Sequence, residues 1–406
     1  NTIVNTTASV TIAGGTGSFS IPASLLTNTG ITNVNISLIT NQTTGCSTIA
    51  NLNTSFDILP LPNLAGANIF VVEPICLGSN ATVLFNSPAL ANGTYDISYN
   101  ITGINSASGS ASLNVVGGNA SFLIGAAQIP NIGLNQVTIT SFANAATTCN
   151  ITVPLITDDF IVNPIPQITS PEITIPNVCL GSNGVVTITS TGGLIDGIYD
   201  ITYSITGVNG PITQTDPVTF TGGVGTITIP STVLTNLGVT SFNISAITNT
   251  ATTCANTFTN VQVNFIVNPL PNVTPSNITV ADTCIDVDAN GNILGETNLP
   301  DGNYTFTYVL SGANTSASQN GAAAITSGNG TFTIPVTLFT TTGVTTFTLT
   351  SITNVATGCT TTGLSISDNF TVIPLPNASN ATIAVNDICL IDGVATVSVS
   401  NASALT

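Results

Sequence analysis

Hydrophobic and polar residues alternate in short runs along the chain, and Gly, Pro or Asn residues separate one run from the next. A period of two places successive side chains on opposite faces of a β-strand. No run has the longer period of an amphipathic helix. In one representative stretch the alternation predicts about seven short strands, over residues 173–178, 185–190, 198–206, 213–221, 225–230, 239–247 and 257–267. The pattern therefore predicts an all-β protein.

This strand pattern recurs with a period of about 105 residues, which predicts tandem copies of one module. Pairs of prolines separated by one residue recur with the same period. They mark linkers, because proline has no backbone N–H to donate to a sheet and favours a stiff, extended conformation. The predicted boundaries give a partial module at 1–62, full modules at 63–166, 167–271 and 272–376, and a partial module at 377–406. The sequence is thus expected to be a slice of a longer array.

Short strands at this density, with a turn signal after each, are typical of an immunoglobulin-like β-sandwich. We therefore predict tandem immunoglobulin-like β-sandwich modules, which the stiff linkers would join into an extended rod. All six tyrosines lie in one repeated strand signature, as Tyr95 and Tyr99 and their equivalents, Tyr199, Tyr203, Tyr304 and Tyr308. A spacing of four keeps both rings of a pair on one strand face. That face could be a stacking platform for sugar rings, but we favour a place in the sandwich core.

Composition excludes several classes of function. The chain has no Lys, Arg or His and a formal net charge of −17. Binding of nucleic acid or an anionic membrane surface requires cationic side chains, so neither partner is expected. Every apolar run is interrupted too early for a spanning helix, which predicts no membrane insertion in this part of the protein.

The eight cysteines indicate disulfides and an oxidising, extracellular compartment, although buried free thiols are an alternative reading. They lie at fixed places in the repeat, namely Cys46, Cys76, Cys149, Cys179, Cys254, Cys284, Cys359 and Cys389. Pairing within modules would join Cys76 to Cys149, Cys179 to Cys254 and Cys284 to Cys359.

Sandwich topology argues against pairing within modules, because it places the first-strand cysteine and the last-hairpin cysteine at opposite ends of one module. A disulfide requires Cα atoms within about 7 Å. The same topology brings a first-strand cysteine close to the last hairpin of the following module. We therefore prefer pairing between modules, of Cys76 with Cys254 and of Cys179 with Cys359, and keep pairing within modules as the alternative.

Catalytic chemistry has few candidate residues. Without His or Lys, no basic side chain is present to activate Ser, Thr or Cys as a nucleophile. The carboxylate pairs Asp158–Asp159 and Asp196–Asp200 have the residue type that a glycosidase needs, but the second pair belongs to the repeated strand signature. The sequence predicts no catalytic residues and no enzyme activity.

One segment has oxygen-bearing side chains at alternate positions, Asp286, Asp288, Asn290 and Asn292, with Gly291 at the sixth position. This spacing matches the first half of a calcium-binding loop, although no closing carboxylate is in register. Asn-Gly also forms ordinary turns. Calcium is the one cofactor that the sequence suggests.

Several motifs resemble the immunoglobulin-like repeats of very large cell-surface adhesins of Bacteroidota. They are the Asn-Pro-Leu-Pro linker, the Cys-Leu-Gly-Ser-Asn segment after Cys76 and Cys179, and the Thr-Thr-Cys hairpins at Cys149 and Cys254. In its lack of basic residues, the chain most resembles the SprB-type gliding adhesins. This resemblance implies export by the type IX secretion system, anchoring at the outer membrane, and contact with the gliding or secretion machinery.

We therefore expect a structural stalk segment of a long cell-surface filament used in surface adhesion and gliding motility. Its contact with an extracellular surface or polysaccharide would be made by regions outside these residues. The alternative is a module array that itself binds a glycan or another extracellular surface.

Overall fold

The computed structural model describes residues 3–388 and 393–401. Regular structure in these residues is almost entirely β-strand, and the few helices are short 3₁₀ turns at Ala23–Leu25, Ala126–Gln128, Ser170–Glu172, Pro275–Asn277 and Val336–Leu338. The chain forms two compact units. The first contains residues 1–167 together with residues 248–256, and the second contains residues 168–247 and 257–406.

We number the three full modules 1 (residues 63–166), 2 (residues 167–271) and 3 (residues 272–376). Module 1 is a two-sheet sandwich. One sheet has the order β3-β5-β8, and the other has the order β4-β11-β9-β6-β7, with β10 added to β9. Its strands are β3 (Asn68–Val71), β4 (Ile75–Cys76), β5 (Ala81–Asn86), β6 (Gly93–Gly103), β7 (Ala107–Val115), β8 (Asn119–Ile124), β9 (Gly133–Asn144), β10 (Asn150–Ile151) and β11 (Thr157–Asn163).

Module 2 repeats this topology, with sheets β12-β14-β17 and β13-β19-β18-β15-β16. Its strands are β12 (Ile173–Thr174), β13 (Val178–Cys179), β14 (Gly184–Thr189), β15 (Gly197–Gly207), β16 (Ile212–Phe220), β17 (Val224–Ile229), β18 (Gly238–Asn249) and β19 (Ala255–Asn268).

Module 3 has sheets β20-β22-β25 and β21-β27-β26-β23-β24. Its strands are β20 (Ile278–Val280), β21 (Thr283–Cys284), β22 (Ala289–Ile293), β23 (Gly302–Gly312), β24 (Gln319–Ile325), β25 (Gly330–Ile334), β26 (Gly343–Asn354) and β27 (Thr360–Ile373). The partial modules contain one antiparallel pair each, β1 (Gly30–Thr40) with β2 (Ser47–Ile58), and β28 (Thr382–Val385) with β29 (Val397–Ser400). Tandem β-sandwich modules are thus confirmed.

The predicted first strand at 173–178 is wrong, because the structure divides it between the two sheets. β12 pairs antiparallel with β14, whereas β13 pairs parallel with β19. Pro176 lies between them and has no N–H to donate to a continuing ladder. The Oδ1 of Asn177 accepts from the backbone N–H of Ile266 at 2.8 Å, which attaches the crossing segment to the last strand. Glu73 and Asp282 make the equivalent bond in modules 1 and 3.

Each module has its own hydrophobic core, built from residues 64–162, 168–267 and 273–372. The six tyrosines are buried in these cores, each at most 3% exposed. Tyr203 packs against Phe242 with ring centroids 4.9 Å apart, and Tyr308 packs against Phe347 at 5.1 Å. The predicted core position of the tyrosines is confirmed, and their burial leaves no exposed face for the alternative, a stacking platform for sugar rings.

The repeated strand signature ends in glycine because the chain turns there beside another strand. Gly103 has φ +113°, and a Cβ on it would lie 2.6 Å from the carbonyl oxygen of Leu134. Gly207 and Gly312 have positive φ and make the same close approach in modules 2 and 3. Only glycine fits this backbone without strain. The recurrence of glycine at the end of this strand signature thus has a local steric cause.

Candidate functional site at the module junctions

In the first unit a disulfide joins Cys76 of module 1 to Cys254, which lies in the hairpin at residues 248–256. The Cα atoms are 5.5 Å apart, within the usual range for a disulfide. Cys254 is fully buried. This hairpin connects β18 and β19 of module 2, yet it belongs to the compact unit that contains module 1. The disulfide therefore links two successive modules.

In the second unit Cys179 of module 2 pairs with Cys359 of module 3, again with Cα atoms 5.5 Å apart. The cysteines of the two disulfides are separated by 178 and 180 residues in sequence. Both pairings are those preferred from the sequence, and no pairing within a module is formed by these four residues. Cys46, Cys149 and Cys284 carry free thiols, whereas Cys389 lies outside the described residues.

The hairpin that presents the second cysteine has a fixed geometry set by its sequence. We call the six residues Asn249–Cys254 and their equivalents, 41–46, 144–149 and 354–359, the cysteine hairpins. The Oδ1 of Asn249 accepts from the backbone N–H groups of Ala251 at 3.0 Å and Thr252 at 3.1 Å. The Asn249 N–H donates to the carbonyl of Cys254 at 2.9 Å.

All four cysteine hairpins have this same set of hydrogen bonds, whether or not their cysteine is paired. The shared motif is Asn-x-x-Thr followed by Thr or Gly and then Cys. The residue before the cysteine has positive φ in each hairpin, as at Thr253 with φ 55° and Gly358 with φ 71°. The hydrogen-bonded geometry of the hairpin therefore does not depend on the disulfide.

The partner cysteine lies in what we call the receiving segment, residues 75–80 and their equivalents 178–183 and 283–288. β4 pairs parallel with the end of β11, so that Cys76 lies beside Asn163. The N–H of Leu77 donates to the carbonyl of Asn163 at 2.9 Å, and that of Ser79 donates to the carbonyl of Cys76 at 3.0 Å. The resulting turn places Cys76 at the end of the module where the linker begins.

A second contact attaches the linker to the strand that follows each paired hairpin. The Nδ2 of Asn256 donates to the carbonyl of Pro166 at 3.0 Å, and the Oγ1 of Thr361 donates to the carbonyl of Pro271. Module 1 has Ile151 at this position, which has no donor side chain. These contacts are not among the features predicted from the sequence, although the polar residue two positions after Cys254 and Cys359 distinguishes these hairpins from that of module 1.

Glu172, just after the linker between modules 1 and 2, is nearly buried and connects two loops. Its carboxylate accepts from the backbone N–H and hydroxyl of Thr169 and from the backbone N–H and hydroxyl of Thr191, at 2.6 to 3.0 Å. Burial by itself raises the pKa of Glu172, but the hydrogen bonds from Thr191 and Thr169 together outweigh burial and hold the pKa below its ordinary value. The charged carboxylate therefore stabilises the start of module 2.

The four residues of the suggested calcium loop do not form a loop. Asn290 and Asn292 lie in strand β22, opposite Thr333 and Thr331 of β25. The Oδ1 of Asp288 accepts from the backbone N–H of Val336 at 2.7 Å. Asn80 and Asn183 make the same bond in the other modules, to Ala126 and Ser231. Asp288 thus has a structural role, and calcium binding stays a prediction.

Asp286 occupies the turn position that glycine fills elsewhere. It has φ 76°, close to the values of 81° and 83° at Gly78 and Gly181. The Cys-Leu-Gly motif is thus explained by a backbone conformation that glycine adopts freely and that aspartate adopts at some cost. The described residues contain no group of three or more His, Cys, Asp or Glu side chains arranged to hold a metal ion.

The carboxylates considered for catalysis take part in structural bonds or are exposed. Asp158 accepts from the backbone N–H of Val71 at 2.7 Å, and Asp159 accepts from the Nε2 of Gln136 at 2.9 Å. Asp196 accepts from the N–H of Gly223 at 3.2 Å, and Asp200 is exposed on β15. Across residues 3–388 and 393–401, no helix has the length and apolar character needed to cross a bilayer.

No protein-family model matches this chain, and no curated protein matches it. Among solved structures it is similar to the FN1–FN3 domains of chicken CNTN1, with 8% identity, 75% of this chain and 97% of that chain covered, and a TM-score of 0.36. It is also similar to trypsin-activated α2-macroglobulin from Escherichia coli, with 10% identity, coverage of 88% and 27%, and a TM-score of 0.20. Salmonella α2-macroglobulin gives 13% identity, coverage of 88% and 26%, and a TM-score of 0.20. Similarities this low carry no inference about function.

Proposed function

We propose that residues 1–406 are a structural, non-catalytic stalk segment of a long cell-surface adhesin. The observation that carries this proposal is the repeated junction disulfide, which joins each of two successive module pairs through the same local geometry. Disulfides are stable in oxidising compartments outside the cytoplasm, which agrees with an extracellular location. Covalent bonds between neighbouring modules serve a protein that must keep its modules connected under tension.

The central module illustrates how such a stalk would transmit force. Its Cys179 bonds to module 3, whereas its Cys254 bonds to module 1. Cys179 lies between Cys76 and Cys254 in sequence, so the two disulfide loops are interleaved. Pulling on the chain ends therefore loads the disulfides as well as the linkers, and the folded modules carry less of the extension.

Composition supports the same role. Isopeptide cross-links require Lys, which the chain lacks, and disulfides are therefore the available covalent reinforcement. The absence of Lys and Arg also removes every cleavage site for trypsin-like proteases. Both properties suit a segment that is exposed for long periods outside the cell.

The finer parts of the proposal come from the resemblance of the repeats to adhesins of Bacteroidota. They are a role in surface adhesion and gliding motility, export by the type IX secretion system, and anchoring at the outer membrane. Adhesive contact would be made by regions outside these residues. The alternative function is direct binding of a glycan or another extracellular surface by the modules themselves.

Small-angle X-ray scattering of the 406-residue chain, oxidised and reduced, tests the stalk proposal. Reduction should broaden the distribution of module arrangements and lower the apparent stiffness while leaving the far-ultraviolet circular dichroism spectrum unchanged. Identical scattering in both states would contradict a mechanical role for the disulfides. In parallel, binding of the oxidised chain to immobilised polysaccharides should be absent under the stalk proposal, and saturable binding would favour the alternative.

A further inference from the structure

Module 1 has an irregular segment where the other two modules have a continuous strand. In modules 2 and 3 the last strand, β19 or β27, runs unbroken from the cysteine hairpin to the linker. In module 1 this stretch is divided into β10 and β11, and residues 152–156 lie between them without regular structure. Leu155 is 87% exposed, the highest value among the large apolar side chains of the three modules. Exposed, irregular backbone of this kind is accessible to proteases.

Composition determines which proteases can cut there. The chain has no Lys or Arg, so only proteases with other specificities, such as those for apolar residues, find sites in it. Cleavage after Leu155 consumes one water and breaks one peptide C–N bond, which leaves a new carboxylate and a new amino group. The products are residues 1–155 and 156–406, and no S–S bond changes in the reaction.

The two products of such a cut would remain packed together in module 1. Strand β11 belongs to the second product, and its residues 157–162 pair with β9 of the first product. The end of β11 also pairs with β4. Phe160 and Val162 of β11 lie in the core of module 1, each 1% exposed. Separation of the products would expose this core to water, which is unfavourable.

The junction disulfides also span the cut. Cys76 lies in the first product and Cys254 in the second, so their S–S bond joins the two. The same holds along the chain, because one disulfide spans every peptide bond from Cys76 to Cys254 and the other spans every bond from Cys179 to Cys359. The two loops overlap between Cys179 and Cys254. Every peptide bond from Cys76 to Cys359 is therefore spanned at least once.

Pairing within modules would not have this property. It would leave residues 149–179 and 254–284 unspanned, and these ranges contain both linkers and the segment 152–156. The interleaved pairing covers them. Cys254 and Cys359 are 0% exposed, which shields one sulfur of each disulfide from attack by thiolates.

We propose that the junction disulfides have a second function, which is to keep the chain in one covalent piece after a protease cuts segment 152–156 or any other single place between Cys76 and Cys359. This function concerns the continuity of the chain after cleavage. It stands whether or not the segment serves as a stalk, because it depends only on which cysteines are joined.

The absence of Lys and Arg makes a selective test possible, since one arginine introduced by substitution is then the only trypsin site. Leu155→Arg, Leu237→Arg and Ala317→Arg each change an exposed position outside the strands. The first position is spanned by Cys76–Cys254 alone, the second by both disulfides and the third by Cys179–Cys359 alone. Trypsin is applied in mild urea, which opens loops to the protease, and free thiols are then blocked with iodoacetamide.

Electrophoresis with reductant should show two fragments for each cut variant, and electrophoresis without reductant should show one species of full length. Ala65→Arg is the matched control, because its exposed position precedes Cys76 and lies outside both loops. Its cleavage should release residues 1–65 without reductant. Separation of the fragments without reductant in any of the three spanned variants would overturn the proposal.

Removal of single disulfides shows which one holds each cut. In Leu155→Arg, the further change Cys76→Ser/Cys254→Ser should free the fragments without reductant, whereas Cys179→Ser/Cys359→Ser should not. Ala317→Arg should show the reverse dependence. Fragments that stay joined in Leu155→Arg after loss of Cys76 and Cys254 would contradict the assigned bridge.

An optical trap tests whether the cut chain still carries load. Cut Leu155→Arg, held by its two ends, should keep its tether under tension and lose it only when reductant is added. Loss of the tether before reductant is added would overturn the proposal.

Discussion

The side-chain amide of Asn256 donates a hydrogen bond to the backbone carbonyl of Pro166, 3.0 Å away, two residues after the junction cysteine Cys254. A single short stretch thus bonds covalently to module 1 through Cys254 and holds the linker through Asn256. The junction has two attachment points, and a linker fixed at its last proline has less freedom to bend.

Asn256→Ala should loosen the linker without breaking the disulfide. Loss of one hydrogen bond is expected to lower the local stability by about 1 kcal/mol. Hydrogen exchange of the peptide that covers residues 163–169 should therefore become faster, while Cys254 stays paired with Cys76. The matched control is Ile151→Ala, at the equivalent position of module 1, which should leave exchange of the 163–169 peptide unchanged. Equal exchange in Asn256→Ala and the parent chain would show that the contact does not restrain the linker.

Asp286→Gly should stabilise module 3, because it places glycine at a position with φ 76°. A left-handed backbone strains aspartate but not glycine, and relief of this strain outweighs the greater freedom of glycine in the unfolded chain. The expected gain in the free energy of unfolding is up to about 1 kcal/mol. Denaturant unfolding measures the gain. Gly181→Ala, at the equivalent position with φ 83°, should have the opposite sign.

The same variant separates the structural and calcium-binding interpretations of this segment. If Asp286 is a calcium ligand, calcium should raise the stability of the parent chain but not that of Asp286→Gly. We expect calcium at millimolar concentration to have the same small effect on both, because Asp288 is already bonded to the backbone of Val336. A calcium-dependent rise confined to the parent chain would establish a metal site.

Glu172 should make module 2 sensitive to acid. Its pKa is lowered in the folded state, so its contribution to stability is complete above the ordinary glutamate pKa and is lost as the pH falls through the lowered value. Glu172→Gln should cost about 1 to 3 kcal/mol at neutral pH and should flatten the dependence of stability on pH in the acid range. Denaturant unfolding as a function of pH measures both effects. Asp200→Asn, which changes an exposed carboxylate of the same module, is the matched control. An unchanged profile in Glu172→Gln would argue against this role.

Tyr203 should resist ionisation while module 2 is folded. Burial raises its pKa, and the hydrogen bond and negative charge of Asp216 raise it further. A raised pKa gives stability that is present below the ordinary tyrosine pKa of about 10 and is lost as the pH rises above it. The chain lacks Trp, whose absorbance would overlap that of tyrosinate, so tyrosine ionisation can be followed by ultraviolet absorbance. In a spectrophotometric pH titration, Tyr203→Phe should lack one tyrosine that ionises above the ordinary tyrosine pKa in the parent chain. Loss of a group that ionises at its ordinary pKa would contradict the assignment.

The sequence predicted the fold class well because alternation with a period of two and a cysteine repeat are both strong local signals. It failed at the first strand, where the chain crosses from one sheet to the other at residues 173–179. Alternation continues through such a crossing, so only Pro176 marked it. The spacing of the tyrosines placed both rings of a pair on one strand face, and the tendency of aromatic residues to lie in a sheet interior favoured the core for that face.

The junction was predictable in part. The pairing of Cys76 with Cys254 followed from which end of a sandwich each element occupies. The contacts of Asn256 and Thr361 with the linker depend on how the hairpin meets the linker carbonyl, which no local pattern encodes. At Asp286 and Asp288 the spacing of a calcium loop also has a structural explanation, because Asp286 occupies a turn position with positive φ and Asp288 accepts a hydrogen bond from the backbone N–H of Val336.

Single-molecule extension of the chain measures whether two interleaved disulfides join successive modules. When both disulfides are present, the shortest covalent path from Cys76 runs through Cys254, back to Cys179 and on to Cys359. Removing either disulfide replaces that path with another of similar length. Cys76→Ser/Cys254→Ser and Cys179→Ser/Cys359→Ser should therefore each lengthen the fully extended chain by only roughly 30 residues, on the order of 100 Å.

Removal of all four cysteines should lengthen the extended chain by roughly 200 residues, on the order of 700 Å, far more than the sum of the two separate changes. This strong non-additivity follows from the interleaving of the two loops, because each disulfide alone already bypasses most of the chain between Cys76 and Cys359. Pairing within modules would instead release roughly 150 residues in each of the two-cysteine variants. Small separate changes with a large combined change are the predicted result, and large changes in either two-cysteine variant would contradict the account.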